Sequence, residues 1–93
     1  MTVSATDTPR MPRGVRLHFD KVRDAWVLLA PERALKLDAV GHAILSEIDG
    51  ERSLGAIAGE LSQKFNAPVE EIERDAGEFV SALLDRRILE LVR

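Results

Sequence analysis

The chain has 93 residues, a formal net charge of −3 and 45% hydrophobic residues, which predicts one soluble globular domain. It contains no cysteine, so disulfides, zinc–thiolate sites and iron–sulfur ligation are excluded. No stretch approaches the roughly 18 apolar residues of a membrane span, and the N-terminus lacks the apolar core of a secretory signal. We therefore expect a cytoplasmic chain that contacts no membrane.

Charge is distributed unevenly along the chain. Residues 1–37 carry a net charge of +3, whereas residues 38–93 carry −6. This asymmetry fits either an ordinary solvated surface or a polarised surface that orients a charged partner.

The N-terminal half predicts a mobile tail followed by three strands. Residues 1–13 are rich in Thr, Ser, Pro and Arg and have no hydrophobic period, so we expect a flexible tail before a single domain at 14–93. Residues 15–20 alternate between apolar and polar, which is typical of a half-buried strand. Residues 25–30 are apolar throughout, as expected of a strand covered on both faces, and residues 33–37 alternate again.

The C-terminal half predicts three amphipathic helices. Asp38 and Ser53 are suited to cap the first two, and Pro68 suits the first turn of the third, which we expect to run to about Arg87. The expected buried stripe of the second helix includes Phe65, and Val40 marks the buried face of the first. The final ILELV segment reads as either a short strand or a frayed tail. The predicted fold is α+β and winged helix-turn-helix-like, with an N-terminal three-stranded antiparallel sheet followed by three α-helices.

Two glycines, Gly55 and Gly59, lie one turn apart inside the second helix. Each weakens a helix by about 1 kcal/mol relative to Ala. They indicate either tolerance at the surface, the interpretation that we prefer, or a flat place where another backbone approaches.

DNA binding through the third helix is disfavoured. A groove-reading helix normally carries Arg, Lys, Asn or Gln. Here the corresponding segment presents five acids and one Arg, and the acids are Glu70, Glu71, Glu73, Asp75 and Glu78. Such a surface repels a polyanion, so we expect no nucleic-acid partner.

An enzyme is also disfavoured. His18 and His42 have no spacing that suggests shared metal ligation, and we expect both on or near the surface. The sequence has no G-x-S-x-G elbow and no glycine-rich phosphate loop. We therefore predict no catalytic residue, no metal and no cofactor.

The third strand, residues 33–37, is instead a candidate edge for recognising another polypeptide. An extended peptide can join a sheet edge, where main-chain hydrogen bonds give affinity and side-chain pockets give specificity. Arg33 and Lys36 discourage pairing with a second copy and would attract an acidic partner. The third helix could form the opposite wall of the groove.

Several motifs resemble one known family. GVRLHFD, WVLLAPERALKL, ILSEIDG and the D-A-x-x-F-V-x-x-L run at 75–83 are similar to the PqqD family of pyrroloquinoline quinone biosynthesis, over about residues 10–92. One departure is Arg87, where such proteins often have Gly. This difference bears on how the third helix ends.

The resemblance implies a peptide chaperone, the recognition element of pathways that modify ribosomally made peptides. Members bind the precursor peptide PqqA and present it to PqqE, a radical S-adenosylmethionine enzyme, with the peptide paired to the third strand and lying against the third helix. Mapped onto this chain, the peptide-binding residues are Arg33, Ala34, Leu35, Lys36, Leu37, Ile72, Asp75, Ala76, Phe79, Val80 and Leu83.

Two other functions stay open: a structural adaptor subunit of the modifying enzyme, and a winged-helix DNA-binding protein that uses the basic N-terminal half. The open strand edge would also allow a homodimer or a domain swap.

Overall fold

The protein is described here by a computed structural model that covers residues 2–92. Its elements in chain order are β1 (Pro9–Arg10), β2 (Arg16–Asp20), β3 (Ala25–Ala30), β4 (Arg33–Lys36), α1 (Ala39–Ser46), α2 (Leu54–Phe65), α3 (Val69–Asp85) and β5 (Glu90–Leu91). The predicted strands and helices are therefore present in the predicted order, with one additional strand at the N-terminus.

The main sheet is antiparallel with the order β2-β3-β4, so β4 is an edge strand. Pro31 and Glu32 form the turn between β3 and β4. Pro31 fixes its own φ, and Glu32 adopts a positive φ of 68°, which together are the requirements of a type II turn. The centre of β3 is buried on both faces, at Val27 and Leu28, as the sequence predicted.

Side-chain caps determine where the first two helices begin. The carboxylate of Asp38 accepts a hydrogen bond of 2.7 Å from the backbone N–H of Gly41, and the hydroxyl of Ser53 accepts one of 3.1 Å from Ala56. Both predicted caps are confirmed. Pro68 comes directly before α3, where its missing N–H leaves no helical hydrogen bond unmade.

The core lies between the sheet and the three helices. It is built almost entirely from aliphatic side chains, because the amphipathic stripes of the helices face one side of the sheet. Its members are Val3, Leu28, Ile44, Leu45, Leu54, Ile57, Leu61, Ala76, Val80, Leu83, Leu84, Ile88 and Leu89.

The N-terminal segment, for which a flexible tail was predicted, lies against the helices. Val3 is buried, and its N–H donates to the hydroxyl of Ser81 over 3.0 Å. The N–H groups of Leu54 and Gly55 at the start of α2 donate to the carbonyls of Asp7 and Ala5 over 2.8 and 2.9 Å. The backbone of this segment thus completes the cap of α2. Met1 lies outside the described residues, and mobility of the segment stays a prediction.

A segment near each end of the chain pairs with the other. Pro9 and Arg10 of β1 pair with Leu91 and Glu90 of β5 in a second, two-stranded sheet. The final ILELV segment is therefore a strand at its centre and not a frayed tail. Its partner β1 was not predicted, because a strand of two residues, one of which is proline, carries no strand period.

The third helix ends at Asp85, two residues before the expected end. Arg86 caps the helix, and Arg87 adopts a left-handed φ of 60°. A helix cannot continue through that conformation, which glycine adopts more easily than other residues do. Among residues 2–92, no helix is long and apolar enough to cross a membrane.

Candidate functional site

The outer edge of β4 is the first part of the site. Leu35 lies opposite the fully buried Leu28 of β3, so its side chain faces the helices, whereas Lys36 lies opposite Val27 on the outer face. In the described part of the chain only β3 pairs with β4, so the other edge of β4 is open to a further strand.

One face of α3 forms the opposite wall. Ile72, Ala76 and Phe79 follow a helical spacing of four and three residues, so they share a face that extends about 10 Å along the helix. Ile72 and Phe79 are half-buried and Asp75 is exposed. The side chains of Ile72, Asp75 and Phe79 are therefore accessible to a ligand.

The other predicted α3 residues belong to the core. Val80 has 0% of its surface exposed, and Ala76 and Leu83 are also buried. Val80 and Leu83 can therefore support the binding surface but cannot contact a ligand directly. Sequence periodicity marks the apolar face of a helix but does not separate its buried centre from its accessible rim.

An apolar cavity of about 310 Å³ opens where α1, α2 and α3 meet. Asp75 is the only charged residue in its lining, and the apolar lining residues are Ala39, Val40, Ala43, Ile44, Leu61, Phe65, Ile72 and Ala76. Val40 and Phe65 are 62% and 60% exposed, although the sequence analysis assigned both to buried faces. That expectation was wrong, because Val40 lies in the first turn of α1 and Phe65 is the last residue of α2, where neighbouring elements do not cover them.

A second cavity, of about 340 Å³, lies between the end of β4 and α3 and is lined by Lys36, Leu37, Asp38 and Phe79. Gly41 of α1 allows the Phe79 ring to approach. A Cβ added at Gly41 would lie 3.3 Å from two atoms of that ring, which is tighter than ordinary contact. The strand edge, Phe79 and the two cavities thus follow one side of α3.

The charges around the site are sparse and opposite in sign. Arg33 and Lys36 of β4 are exposed, and neither forms an ion pair within residues 2–92. Asp75 of α3 is 3.9 Å from the neighbouring Arg74. A peptide between the two walls would therefore lie beside cations on the strand and a carboxylate on the helix.

An ionic cluster holds α1 and α2 together beside the first cavity. Glu47 accepts from Lys64 over 2.6 Å and from Arg52 over 3.2 Å. The hydrogen bond from Lys64 is the largest cause that lowers the pKa of Glu47, against the opposing effect of burial. The backbone N–H groups of Arg52 and Glu51 lower the pKa of Asp49 from 3.8 to about 2. The Glu47–Lys64 pair thus links the C-terminal cap of α1 to the last turn of α2.

The part of the chain that the structure describes contains no group of three or more His, Cys, Asp or Glu placed to bind a metal. His18 is exposed on β2, and His42 of α1 stacks on Trp26, with ring centroids 4.4 Å apart. The two histidines are thus placed as predicted.

Comparison with known proteins gives consistent matches. Residues 25–89 match the sequence model of a family described as coenzyme PQQ synthesis protein D (PqqD). A Rhizobium meliloti protein named PqqA binding protein is 50% identical over 91 residues, which is 98% of this chain and 93% of the relative.

Two solved structures are similar in fold. The solution structure of the PqqD truncation of Methylobacterium extorquens PqqCD, described as a functional and stand-alone recognition element, is 44% identical with a TM-score of 0.82 and covers 95% of this chain and 94% of its own. TbiB1 in complex with the TbiA(beta) leader peptide is 25% identical with a TM-score of 0.72 and covers 87% and 94%. These likenesses confirm the predicted α+β class with three helices and an antiparallel sheet.

Proposed function

The chain belongs to the PqqD family, and from this we propose that it is a peptide chaperone that binds the precursor peptide PqqA and presents it to the radical S-adenosylmethionine enzyme PqqE. A relative half identical to this chain is named for binding PqqA, and a structural neighbour holds a leader peptide. The Rhizobium meliloti relative is named for binding, and the Methylobacterium extorquens structure is described as a recognition element, which bears out the prediction that the chain is not an enzyme.

The open edge of β4 facing the accessible side of α3 is the observation that carries this proposal. A peptide strand added to β4 would satisfy its main-chain groups on that edge. Its side chains would alternate, with one set facing α3 and the other facing solvent beside Lys36.

Apolar side chains on the inward set would enter the two cavities. The apolar cavity where α1, α2 and α3 meet has the volume of a small ligand pocket, and its lining is apolar apart from Asp75. Ordering a flexible peptide opposes binding by about 2–5 kcal/mol, so the affinity should be near micromolar, about −8 kcal/mol. Such an affinity allows the peptide to be released to the enzyme. Tethering the peptide to the enzyme through this domain would raise its effective concentration.

The alternative of a DNA-binding protein is not favoured by the surface of α3. Glu70, Glu71 and Glu78 are exposed along the helix, so the face that would enter a groove is acidic. The adaptor alternative differs in one measurable respect, since it predicts binding to the enzyme without any affinity for the peptide. Location in the cytoplasm and self-association stay predictions.

A titration of isotope-labelled protein with synthetic PqqA tests the proposal. We expect shifts concentrated at residues 33–37 and at Ile72, Asp75 and Phe79, and Ala39→Asp, which places a carboxylate at the cavity, should weaken binding by about tenfold or more. Ala56→Asp is the matched control, because Ala56 is also an exposed alanine in the first turn of a helix but lies outside the cavity lining. Absence of shifts with the enzyme absent would reject autonomous peptide binding and favour the adaptor.

A further inference from the structure

The end of the β2–β3 hairpin carries exposed aromatic side chains that the peptide site does not use. Phe19 and Trp26 are cross-strand partners with ring centroids 5.4 Å apart, and Trp26 also stacks on His42 of α1. Phe19 and Trp26 are nevertheless 38% and 37% exposed. The stack therefore fixes the orientation of the rings and leaves part of their surface in solvent.

The turn beyond these rings presents an exposed apolar side chain on a backbone that hydrogen bonds hold. Val22 at its tip is 96% exposed. The carboxylate of Asp20 accepts hydrogen bonds of 3.0 and 3.2 Å from the backbone N–H groups of Val22 and Arg23, which holds the turn. Lys21 and Arg23, both exposed, flank Val22. We call Phe19, Lys21, Val22, Arg23 and Trp26 the hairpin surface.

The hairpin surface is separate from the peptide site but adjoins one end of it. β2 and β4 are at opposite edges of the sheet, about 10 Å apart at the usual strand spacing. The N–H of Leu37, at the end of β4, donates to the carbonyl of Trp26 over 3.0 Å. A peptide paired along β4 would therefore end beside the hairpin surface without covering it.

We propose that the hairpin surface docks the domain on the modifying enzyme, against a folded surface that has an apolar pocket rimmed by carboxylates. Aromatic side chains and arginine are the residues that contribute most at protein interfaces. The two cations Lys21 and Arg23 beside Val22 complement acidic groups around such a pocket. This docking surface rests on the peptide-presenting function proposed above.

The charges of the turn favour a protein over a polyanion or an anionic membrane. Asp20 and Asp24 lie among the cations, so the turn as a whole carries no net positive charge. A uniformly anionic polymer or lipid surface would meet both signs of charge, whereas a protein surface can place a carboxylate opposite each cation.

Binding of the full chain to purified PqqE, measured by surface plasmon resonance with and without PqqA, tests this docking surface. Val22→Asp should weaken enzyme binding about tenfold, mainly through faster dissociation. Lys21→Glu/Arg23→Glu should slow association and reduce its salt dependence. Peptide affinity should stay within about twofold of the wild-type value, because Lys21, Val22 and Arg23 lie outside β4 and outside the linings of both cavities.

The control is Arg13→Glu/Arg86→Glu, which makes the same change in charge at exposed positions away from the hairpin turn. Unchanged enzyme affinity in Val22→Asp and in the Lys21/Arg23 double variant, with wild-type binding intact, would overturn the docking surface. Loss of peptide binding in Val22→Asp would also overturn it. The same holds if Val22→Asp binds PqqE as the wild type does but no longer binds phosphatidylglycerol vesicles that the wild type binds. A wild-type chain that binds PqqA but never PqqE would reject the presentation step itself, which is a distinct failure.

Discussion

Arg87 ends the third helix in a conformation that suits glycine. Its φ of 60° lies in the left-handed region, where a residue with a Cβ is disfavoured by about 1–2 kcal/mol. The sequence identified this position as unusual by resemblance alone. The structure supplies the physical reason, since the chain must turn here to bring Ile88 and Leu89 into the core.

Arg87→Gly should therefore stabilise the protein. We expect the free energy of unfolding to rise by about 0.5–1 kcal/mol, because relief of backbone strain exceeds the added entropy of the unfolded chain. Urea denaturation measures the difference. Arg86→Gly is the control, since Arg86 has an ordinary helical φ of −86° and should lose stability on the same change. Equal effects at both positions would contradict the explanation.

Asp49 makes stability depend on pH at acidic values. Its pKa is about 2 in the folded state against 3.8 for the free carboxyl. A lowered folded-state pKa stabilises the protein above the unfolded value, so this contribution is complete above about pH 4 and is lost towards about pH 2. Asp49→Asn should lower the free energy of unfolding at neutral pH. It should also make that free energy less dependent on pH between about pH 4 and pH 2.

Urea denaturation at a series of pH values measures this dependence. Glu51→Gln removes an exposed carboxylate from the same turn and is the control. An acid loss that is equally steep in Asp49→Asn and in the wild type would show that other carboxylates dominate.

At the scale of elements, the two glycines of α2 differ although their sequence context is similar. A Cβ at Gly55 would lie 3.2 Å from the carbonyl oxygen of Ala5, whereas a Cβ at Gly59 would have no neighbour within 4 Å. The preferred interpretation, tolerance at the surface, is therefore correct for Gly59 and wrong for Gly55. At Gly55 the close approach of another backbone is the reason for glycine.

This contrast predicts different outcomes for the same substitution at Gly59 and at Gly55. Gly59→Ala should raise the free energy of unfolding by about 1 kcal/mol through helix propensity. Gly55→Ala should gain less or lose stability, because it displaces Ala5 and weakens the hydrogen bond of 2.9 Å to its carbonyl. Thermal denaturation measures the difference in stability between the two variants. Amide exchange at Leu54 and at residue 55 reports whether Ala5 is displaced. Equal stabilisation by both changes would show that the N-terminal segment contributes nothing to the cap.

Elements with a strong period were predictable from sequence, and elements without one were not. The helices follow a period of 3.6 residues and the strands β2 and β4 a period of 2, whereas β3 is a continuous apolar run of strand length. The strand β1 has two residues and forms because β5 is beside it, a contact that no local pattern records. The rim residues Val40 and Phe65 were missed for the same reason, since exposure depends on what other elements leave uncovered.

At the scale of the whole molecule, the uneven charge has a spatial meaning. The cations Arg33 and Lys36 lie on the sheet edge, and the exposed acids Glu70, Glu71 and Glu78 lie along α3. The sequence showed this charge asymmetry, with an ordinary solvated surface as the alternative, but could not place the cavities, because the apolar one is formed by side chains from three helices. Its existence depends on how the helices cross.

The β1–β5 pairing also bears on how the domain can be combined with others. Pro9 and Leu91 are opposite each other, so the C-terminal strand ends beside β1, whereas the chain N-terminal to β1 runs along the helices to Val3, beside Ser81 of α3. An enzyme joined by gene fusion at the C-terminus would therefore start beside β1, whereas one joined at the N-terminus would start beside α3. A circular permutant that links the ends and opens the exposed 21–24 turn would keep every strand pair. The strand edge and its cavities would therefore stay intact while the chain order changed around them.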